Sequence, residues 1–125
     1  MLSALVVGDF NGDQRLDMAV INDNGLTVLL NQGNGAFLAV PVPGLTDVGE
    51  GPASLVAGDF NGDGKLDLAV ATPAGDRPGG GCITVLLGQG DGSFQQAFHL
   101  DIHGIPSALV AGDFNGDGKL DLAVA

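Results

Sequence analysis

The feature that most constrains the fold is a segment that occurs three times along the chain. Residues 5–20 read LVVGDFNGDQRLDMAV, and residues 55–70 and 109–124 both read LVAGDFNGDGKLDLAV. The copies begin at positions 5, 55 and 109, so successive copies lie 50 and 54 residues apart. A period in this range is typical of repeat architectures, in which each repeat is one supersecondary unit. We therefore expect a tandem array of similar units.

A second shared element follows the first two copies. Residues 26–37 read LTVLLNQGNGAF and residues 83–94 read ITVLLGQGDGSF, 57 residues further along. The apolar segments of the unit are short, rich in Val, Leu and Thr, and bounded by Gly, Asn and Pro, which is typical of strands. In the first unit we predict strand A at 4–8, strand B after the acidic loop 9–17 through residue 21, a tight turn at 22–25, strand C at 26–31 and strand D near 37–42.

Four antiparallel strands repeated about every 50 residues predict an all-β fold made of β-propeller blades. We assign residues 1–50 to blade 1, residues 51–104 to blade 2 and residues 105–125 to the A–B hairpin of blade 3. A closed propeller needs roughly four to eight blades, so about two and a half blades make an incomplete one. Either the chain is a piece of a longer protein or several copies assemble. We favour a piece, because both ends fall inside the repeated pattern.

The acidic residues are concentrated in the three copies rather than spread over the chain. The formal net charge is −11, and nine of the fifteen acidic residues lie in the three loops together with three of the four basic ones. Each loop therefore carries a charge of −2, and one divalent cation in each would bring the chain from −11 to −5. The distribution indicates cation sites more than a general aid to solubility.

The spacing of oxygen atoms in each loop favours calcium. Oxygen-bearing side chains stand at positions 1, 3, 5 and 9, and position 7 would contribute its backbone carbonyl. Calcium takes about 6–8 hard oxygen ligands, whereas magnesium prefers strict octahedral geometry and zinc prefers His or Cys. The alternative is a hairpin loop in which Asp and Asn cap their own backbone. Three loops with the same spacing favour calcium over that alternative. In the second loop these positions are Asp59, Asn61, Asp63, Lys65 (carbonyl) and Asp67.

These loops differ from an EF-hand, which needs a bidentate Glu at position 12. Val20, Val70 and Val124 stand at that position here, and the exit segment alternates as a strand does. We expect weak binding, with a Kd of roughly 10⁻⁵ to 10⁻³ M. Gln14 replaces the Gly that the other loops have at position 6. A left-handed conformation there would cost about 1 kcal/mol, so we predict that the first site is the weakest.

The chain resembles the FG-GAP/VCBS repeats of integrin-α-type β-propellers over essentially its whole length. The resemblance is carried by GDFNGDGKLDLAVA at 58–71 and 112–125, GDFNGDQRLDMAV at 8–20 and LLGQGDGSF at 86–94. It implies up to three calcium ions, one in each A–B loop. The implied ligands beyond the second loop are Asp9, Asn11, Asp13, Arg15 (carbonyl), Asp17, Asp113, Asn115, Asp117, Lys119 (carbonyl) and Asp121.

The resemblance also implies a function outside the cell. Members of the family are usually secreted or on cell surfaces, as adhesion receptors, lectins or accessory domains of larger enzymes. We therefore expect an adhesion or ligand-binding module with structural calcium. The alternatives are a non-catalytic accessory propeller of a larger secreted hydrolase or lyase, or a lectin. The absence of Trp and Tyr weighs against a lectin, because it removes the usual sugar-stacking side chains.

Partners are expected on the face opposite the calcium loops. The second B–C loop, at 72–81, is seven residues longer than the first, with Arg77 as its only cation. It is a candidate contact for a protein or glycan ligand, or a solvated length variant. Further blades of the same chain, or other copies, are also expected as partners. The charge excludes nucleic acid, since no basic patch exists, and no apolar run approaches the roughly 18 residues of a membrane span.

The remaining features indicate no catalytic set, so we do not expect an enzyme. We read the glycine-rich stretch at 88–92 as a C–D turn, since no helix pattern follows it. We expect the two histidines at the surface and the single cysteine in the interior. The phenylalanine at position 2 of each loop is predicted to anchor that loop in the core. These residues are His99, His103, Cys82, Phe10, Phe60 and Phe114.

Overall fold

The computed structural model describes residues 2–22, 24–45, 53–73 and 79–125, and these contain ten strands and no helix. Accordingly, no helix long and apolar enough to cross a membrane occurs in these ranges. Residues 74–78, the half of the long B–C loop that contains Arg77, lie outside the described residues. The strands are β1 Leu2–Gly8, β2 Asp17–Asn22, β3 Gly25–Asn31, β4 Phe37–Pro41, β5 Ser54–Gly58, β6 Asp67–Thr72, β7 Gly81–Gly88, β8 Phe94–Ile102, β9 Leu109–Gly112 and β10 Asp121–Val124.

The strands form two four-stranded sheets and one two-stranded sheet. The sheet orders are β1-β2-β3-β4, β5-β6-β7-β8 and β9-β10, and every neighbouring pair is antiparallel. The prediction of an all-β fold built from blade-like sheets is confirmed. The predicted strands of the first unit differ from the observed ones by one or two residues. Strand A begins earlier, at Leu2, and strand D ends earlier, at Pro41.

The three sheets pack face against face in an open row. Alternate residues of a strand point to opposite faces, and β6 is buried on both. Leu68 and Val70 belong to the first core cluster, which lies between the first and second sheets. Ala69 and Ala71 belong to the second core cluster, between the second and third sheets. The middle sheet is therefore covered on both sides, as a blade is inside a propeller.

The first strand of each sheet lies at one edge of the row. β1 contacts β5 and β5 contacts β9, and the Leu109 amide donates a hydrogen bond of 3.1 Å to Ser54 Oγ. The fourth strands, β4 and β8, lie at the opposite edge and are mostly exposed. The row thus has an inner edge made of A strands and an outer edge made of D strands, which is the radial arrangement of propeller blades.

Adjacent sheets interlock at the end where the acidic loops lie. A Cβ built on Gly8 would lie 2.7 Å from Leu66 Cδ1, so the absence of a side chain at Gly8 makes room for the next sheet's leucine. The Phe10 and Phe94 rings meet edge to face, with centroids 5.7 Å apart. The Gly92 amide donates a hydrogen bond of 3.1 Å to the Phe10 carbonyl. The same loop end thus joins the first sheet to the second through packing and through a backbone hydrogen bond.

The phenylalanines of the three loops do not share one environment. Phe10 is 2% exposed in the first core cluster, and Phe60 packs against the second. Phe114 is 60% exposed, so the prediction that it is a core anchor is wrong for this structure. Its side of the third sheet has no neighbouring sheet among the described residues. Cys82 is buried, as predicted, and His99 and His103 are exposed, as predicted.

Candidate metal centres

Each acidic loop joins the first two strands of its sheet. The last residue of strand A pairs directly with the loop's position 9, as Gly8 does with Asp17, and this pairing brings the two ends of the loop together. The same pairing joins Gly58 to Asp67 and Gly112 to Asp121. Positions 1 and 9 are therefore held close to each other by the sheet itself, before any cation is considered.

The carboxylate at position 1 is held by three backbone amides of its own loop. Asp9 Oδ1 accepts hydrogen bonds from the amides of Gly12 at 2.8 Å and Asp13 at 3.2 Å, and Oδ2 accepts one from Gln14 at 2.8 Å. Asp59 and Asp113 accept the corresponding bonds in their loops. The loop backbone is thus curled around position 1 in all three copies.

These hydrogen bonds favour the ionised carboxylate. The amide of Gln14 lowers the pKa of Asp9 from its ordinary value, with smaller contributions from neighbouring amides and an opposing contribution from desolvation. The amide of Gly64 lowers the pKa of Asp59 in the same way. A carboxylate must be deprotonated to bind a metal ion, so the loop backbone prepares position 1 for that role.

Positions 3, 5 and 7 continue the curl. Asn11 Oδ1 accepts a hydrogen bond from the Asp13 amide at 3.3 Å, and Asp13 Oδ1 accepts one from the Arg15 amide at 2.9 Å. The second and third loops repeat both bonds. In the first loop the Arg15 guanidinium also lies 3.6 Å from Asp13 Oδ2. This ion pair places a cation on a predicted ligand of the first site.

The carboxylate at position 9 links its loop to the third strand of the sheet. Asp17 Oδ2 accepts a hydrogen bond from the Phe10 amide and Oδ1 accepts one from the Asn31 amide, both at 2.9 Å. Asp67 makes the equivalent bonds to the amides of Phe60 at 2.8 Å and Gly88 at 2.9 Å. Both aspartates are fully buried. They are therefore structural residues of the sheet as well as predicted ligands.

The predicted ligands converge in two of the three loops. Carboxylate oxygens of Asp9, Asp13 and Asp17 lie within 4.8 Å of one another. The same holds for the third loop, at Asp113, Asp117 and Asp121. Oxygens bound to one calcium ion at about 2.3–2.6 Å can be at most about 5 Å apart, so this spacing fits a shared calcium ion. The donor set contains only oxygen, which suits a hard cation.

The second loop has the same backbone hydrogen bonds but a wider arrangement of carboxylates. Among the described residues, Asp59, Asp63 and Asp67 do not form a set within 4.8 Å. Its position 1 and position 9 carboxylates keep the same partners as in the first loop.

Sequence reasoning did not identify the link between position 9 and the third strand. The acceptor, Asp17 or Asp67, was recognised as a candidate ligand only. The donor residues, Asn31 and Gly88, occupy the same place in the two units, since they are 57 residues apart at the end of strand C. This equivalent position is the one sequence feature that points to the hydrogen bond. The donor is a backbone amide, so the types of the residues at these positions do not reveal the hydrogen bond.

Neighbouring loops enclose two equivalent clefts on the loop face. One cleft, of about 400 Å³, lies between the first and second loops and also contacts Gly90 in the turn between β7 and β8. The other, of about 290 Å³, lies between the second and third loops. Each cleft is lined by the position 1 aspartate of one loop and the position 7 lysine of the next. A–B loops and a C–D turn therefore share one face, as the blade arrangement predicts.

The fold and the loops together define the chain as a β-propeller-type repeat protein, in which an oxygen-rich loop joins the inner two strands of each blade. The sequence profile of the FG-GAP-like repeat matches residues 9–70 and again residues 62–124, so the chain belongs to the FG-GAP-like repeat family. These matches support the FG-GAP repeat in general, without singling out the integrin-α branch. No curated protein matches the chain.

Proposed function

We propose that this chain is a calcium-binding propeller segment in which calcium has a structural role. The observation that carries the proposal is the convergence of three carboxylates within 4.8 Å in loops whose backbone amides already hold the position 1 aspartate. The proposed ligands are the fifteen residues predicted from the sequence, with one ion in each of the three loops.

Electrostatic repulsion is the reason for expecting a cation. Two carboxylates about 4 Å apart repel by roughly 4 kcal/mol at an effective dielectric constant near 20. Three carboxylates in one loop therefore oppose the folded arrangement, and a bound divalent cation reverses the sign of that interaction. Arg15 is near the first set, but a single guanidinium does not balance three carboxylates.

The position of the loops favours a structural role over a sensing role. Asp17 and Asp67 connect their loops to the third strand of the same sheet, and Phe10 connects the first loop to the next sheet. An ion bound to these aspartates would therefore hold two strands and the start of the next blade together. The described residues contain no helix pair that calcium could open, as it does in sensor EF-hands.

We further propose that the segment serves a secreted or cell-surface module for adhesion or ligand binding. Family membership supports this assignment, and fold alone does not choose among functions. The proposed ligand, a protein or glycan, would meet the face formed by the B–C and D–A loops. A non-catalytic accessory propeller of a secreted hydrolase or lyase remains the second candidate, and a lectin the third. A flanking catalytic domain in the complete reading frame would favour the second, and clear hits on a glycan array would favour the third.

Thermal unfolding in calcium and in EDTA tests the structural role of the ion. We expect calcium to raise the Tm, because a ligand at 100 times its Kd adds about 2.7 kcal/mol per site to the free energy of unfolding. Asp117→Ala removes one proposed ligand of the third loop and should lose part of the calcium-dependent increase. An unchanged Tm in calcium for the original chain would contradict the proposal.

Asp91→Asn is the matched control. Asp91 is an exposed acid outside the loops, and its Oδ1 accepts a hydrogen bond from the Ser93 amide at 2.9 Å. The Ser93 hydroxyl and amide lower the pKa of Asp91, so it is a hydrogen-bonded carboxylate like those of the loops. The substitution removes the same charge as Asp117→Ala but should leave the calcium-dependent increase in Tm intact.

A further inference from the structure

Each acidic loop contains a dipeptide that is prone to spontaneous chemical modification. Asparagine followed by glycine stands at positions 3 and 4 of all three loops, and aspartate followed by glycine stands at positions 5 and 6 of the second and third. In such dipeptides the glycine nitrogen can attack the side-chain carbonyl carbon of the preceding residue, because glycine has no side chain to hinder the approach. In the second loop the two dipeptides are Asn61-Gly62 and Asp63-Gly64.

The side-chain carbonyl groups of the second loop are exposed and polarised. Asn61 Oδ1 accepts a hydrogen bond from the Asp63 amide at 3.3 Å, and Asp63 Oδ1 accepts one from the Lys65 amide at 2.9 Å. A donor on a carbonyl oxygen stabilises the negative charge that the oxygen gains when its carbon is attacked. Both side chains belong to exposed residues, so water reaches them. The loop therefore does not protect the carbon atoms that would be attacked.

The attacking nitrogens, in contrast, are restrained at both dipeptides by one carboxylate. Asp59 Oδ1 accepts a hydrogen bond from the Gly62 amide and Asp59 Oδ2 accepts one from the Gly64 amide, both at 2.8 Å. Attack requires each amide to turn toward the preceding side chain and to lose its proton. The carboxylate opposes both steps, because a charge-assisted hydrogen bond must break and because its negative charge disfavours deprotonation of the amide.

We propose that Asn61 and Asp63 are sites of succinimide formation and that Asp59 suppresses the reaction at both. At Asn61 the Gly62 nitrogen loses its proton and bonds to Cγ, the Cγ–Nδ2 bond breaks, and the side-chain nitrogen leaves with that proton as ammonia. At Asp63 the Gly64 nitrogen attacks the protonated carboxyl group in the same way, and water leaves. Water then opens either ring to give aspartate or isoaspartate. Asp59 acts as a positioning residue for the loop backbone.

The third loop shows that this restraint belongs to the loop itself. Asp113 Oδ1 and Oδ2 accept hydrogen bonds of 2.8 Å from the amides of Gly116 and Gly118. Among the described residues, the third loop has a neighbouring sheet on one side only, whereas the second has one on each side. The hydrogen bonds are nevertheless the same, so they do not depend on which sheets pack around the loop.

The products of the reaction indicate what the suppression preserves. Isoaspartate continues the chain through its side-chain carbon, so an extra carbon enters the backbone and the loop positions on either side of it move apart. Aspartate in place of asparagine at position 3 changes the charge of the loop from −2 to −3. Either product alters the oxygen spacing or the charge of the proposed calcium site, and this consequence rests on the proposed function.

Peptide mapping by mass spectrometry, after incubation of the folded chain in near-neutral buffer with EDTA, tests the proposal. Electron-based fragmentation assigns each conversion to a residue and separates aspartate from isoaspartate. We expect Asp59→Ala to speed the conversion of Asn61 and Asp63 by roughly ten- to a hundredfold, because a charge-assisted hydrogen bond no longer restrains either amide. Asn115 and Asp117, in the third loop of identical sequence, should keep the rates of the original chain.

Asp113→Ala is the reciprocal variant and should speed the conversion only in the third loop. It keeps the test decisive if Asp59→Ala does not fold, because Asp113 is exposed. Asp67→Ala is the control for general loosening of the second loop. It removes a fully buried aspartate but leaves the amides of Gly62 and Gly64 bound to Asp59, so both rates should stay those of the original chain. Circular dichroism checks that each variant is folded.

Urea supplies the last control, because an unfolded loop has no hydrogen bonds to lose. There the original chain and Asp59→Ala should convert Asn61 and Asp63 at the same rates. Unchanged rates in folded Asp59→Ala, an equal acceleration in Asp67→Ala, or a difference that persists in urea would each overturn the proposal. All samples contain EDTA, so a failure of calcium binding would leave the expected rates as they are.

Discussion

At the scale of single residues, the aspartates at positions 1 and 9 of the loop have different tasks. Asp59 is held by three amides of its own loop, whereas Asp67 joins the loop to strand β7 through Gly88. The spacing of oxygen-bearing residues along the sequence predicts both aspartates as calcium ligands and does not distinguish their roles. The difference depends on a strand more than twenty residues away in the chain, which local sequence does not reveal.

Replacement of the buried position 9 aspartate tests its structural task. Asp67→Ala leaves the amides of Phe60 and Gly88 without their acceptor, so we expect a loss of about 2–4 kcal/mol in the free energy of unfolding in EDTA. Asp121→Ala is the control, because Asp121 is only partly buried and accepts a single loop amide bond, of 3.2 Å, from Phe114. We expect it to cost about 1 kcal/mol or less. Urea denaturation measures both, and equal losses would contradict this assignment.

Gln14 has the backbone strain that its place in the loop predicts. Its φ is +66°, close to the +81° of Gly64 and the +80° of Gly118 at the same position. The left-handed conformation costs a non-glycine residue about 1–2 kcal/mol, and part of this is offset by the entropy that a glycine would lose on folding. Gln14→Gly should therefore raise the free energy of unfolding by about 0.5–1 kcal/mol.

The same substitution should strengthen calcium binding at the first loop, which stays the predicted weakest site. Gln14→Ala is the control, because it removes the side-chain amide but keeps a Cβ at positive φ. Urea denaturation in EDTA measures the effect on stability and calorimetry measures the effect on binding. A gain in stability from the alanine variant equal to that of glycine would show that backbone strain is not the cause.

At the scale of elements, strand positions were predictable because turn residues and acidic loops delimit short apolar segments. The environment of each strand was less predictable. Residues 55–70 and 109–124 are identical in sequence, yet Val70 is fully buried and Val124 is 39% exposed. Phe60 and Phe114 differ in the same way. Burial here depends on whether a neighbouring sheet is present, and identical local sequences cannot carry that information.

The interlock between sheets gives a prediction at this scale. Gly8→Ala should destabilise the protein by about 1–3 kcal/mol, because the new Cβ would lie 2.7 Å from Leu66 Cδ1 in a packed interface. Gly112→Ala is the matched control, since the atoms nearest to its Cβ belong to the Phe114 ring, the first at 3.1 Å, and that side chain is 60% exposed rather than packed in an interface. The control should change stability by less than about 1 kcal/mol. Thermal or urea unfolding that ranks the two variants equally would contradict the interlock.

At the scale of the whole molecule, the repeat made the architecture accessible from sequence. Its period predicted four-stranded sheets in tandem, and the structure has two of these and a further hairpin in an open row. The convergence of carboxylates was predicted for all three loops and is observed in the first and third. The wider spacing of the carboxylates in the second loop could not be predicted, because the sequence of this loop is identical to that of the third.

Calorimetric titration of calcium into the EDTA-stripped and dialysed chain measures whether the three loops bind calcium. We predict saturable binding of up to three ions with Kd values of roughly 10⁻⁵ to 10⁻³ M, and one ion fewer for Asp117→Ala. Magnesium should bind more weakly than calcium, because it prefers strict octahedral geometry. The absence of binding heat at millimolar calcium, together with the same Tm in calcium and EDTA, would contradict calcium binding by the loops.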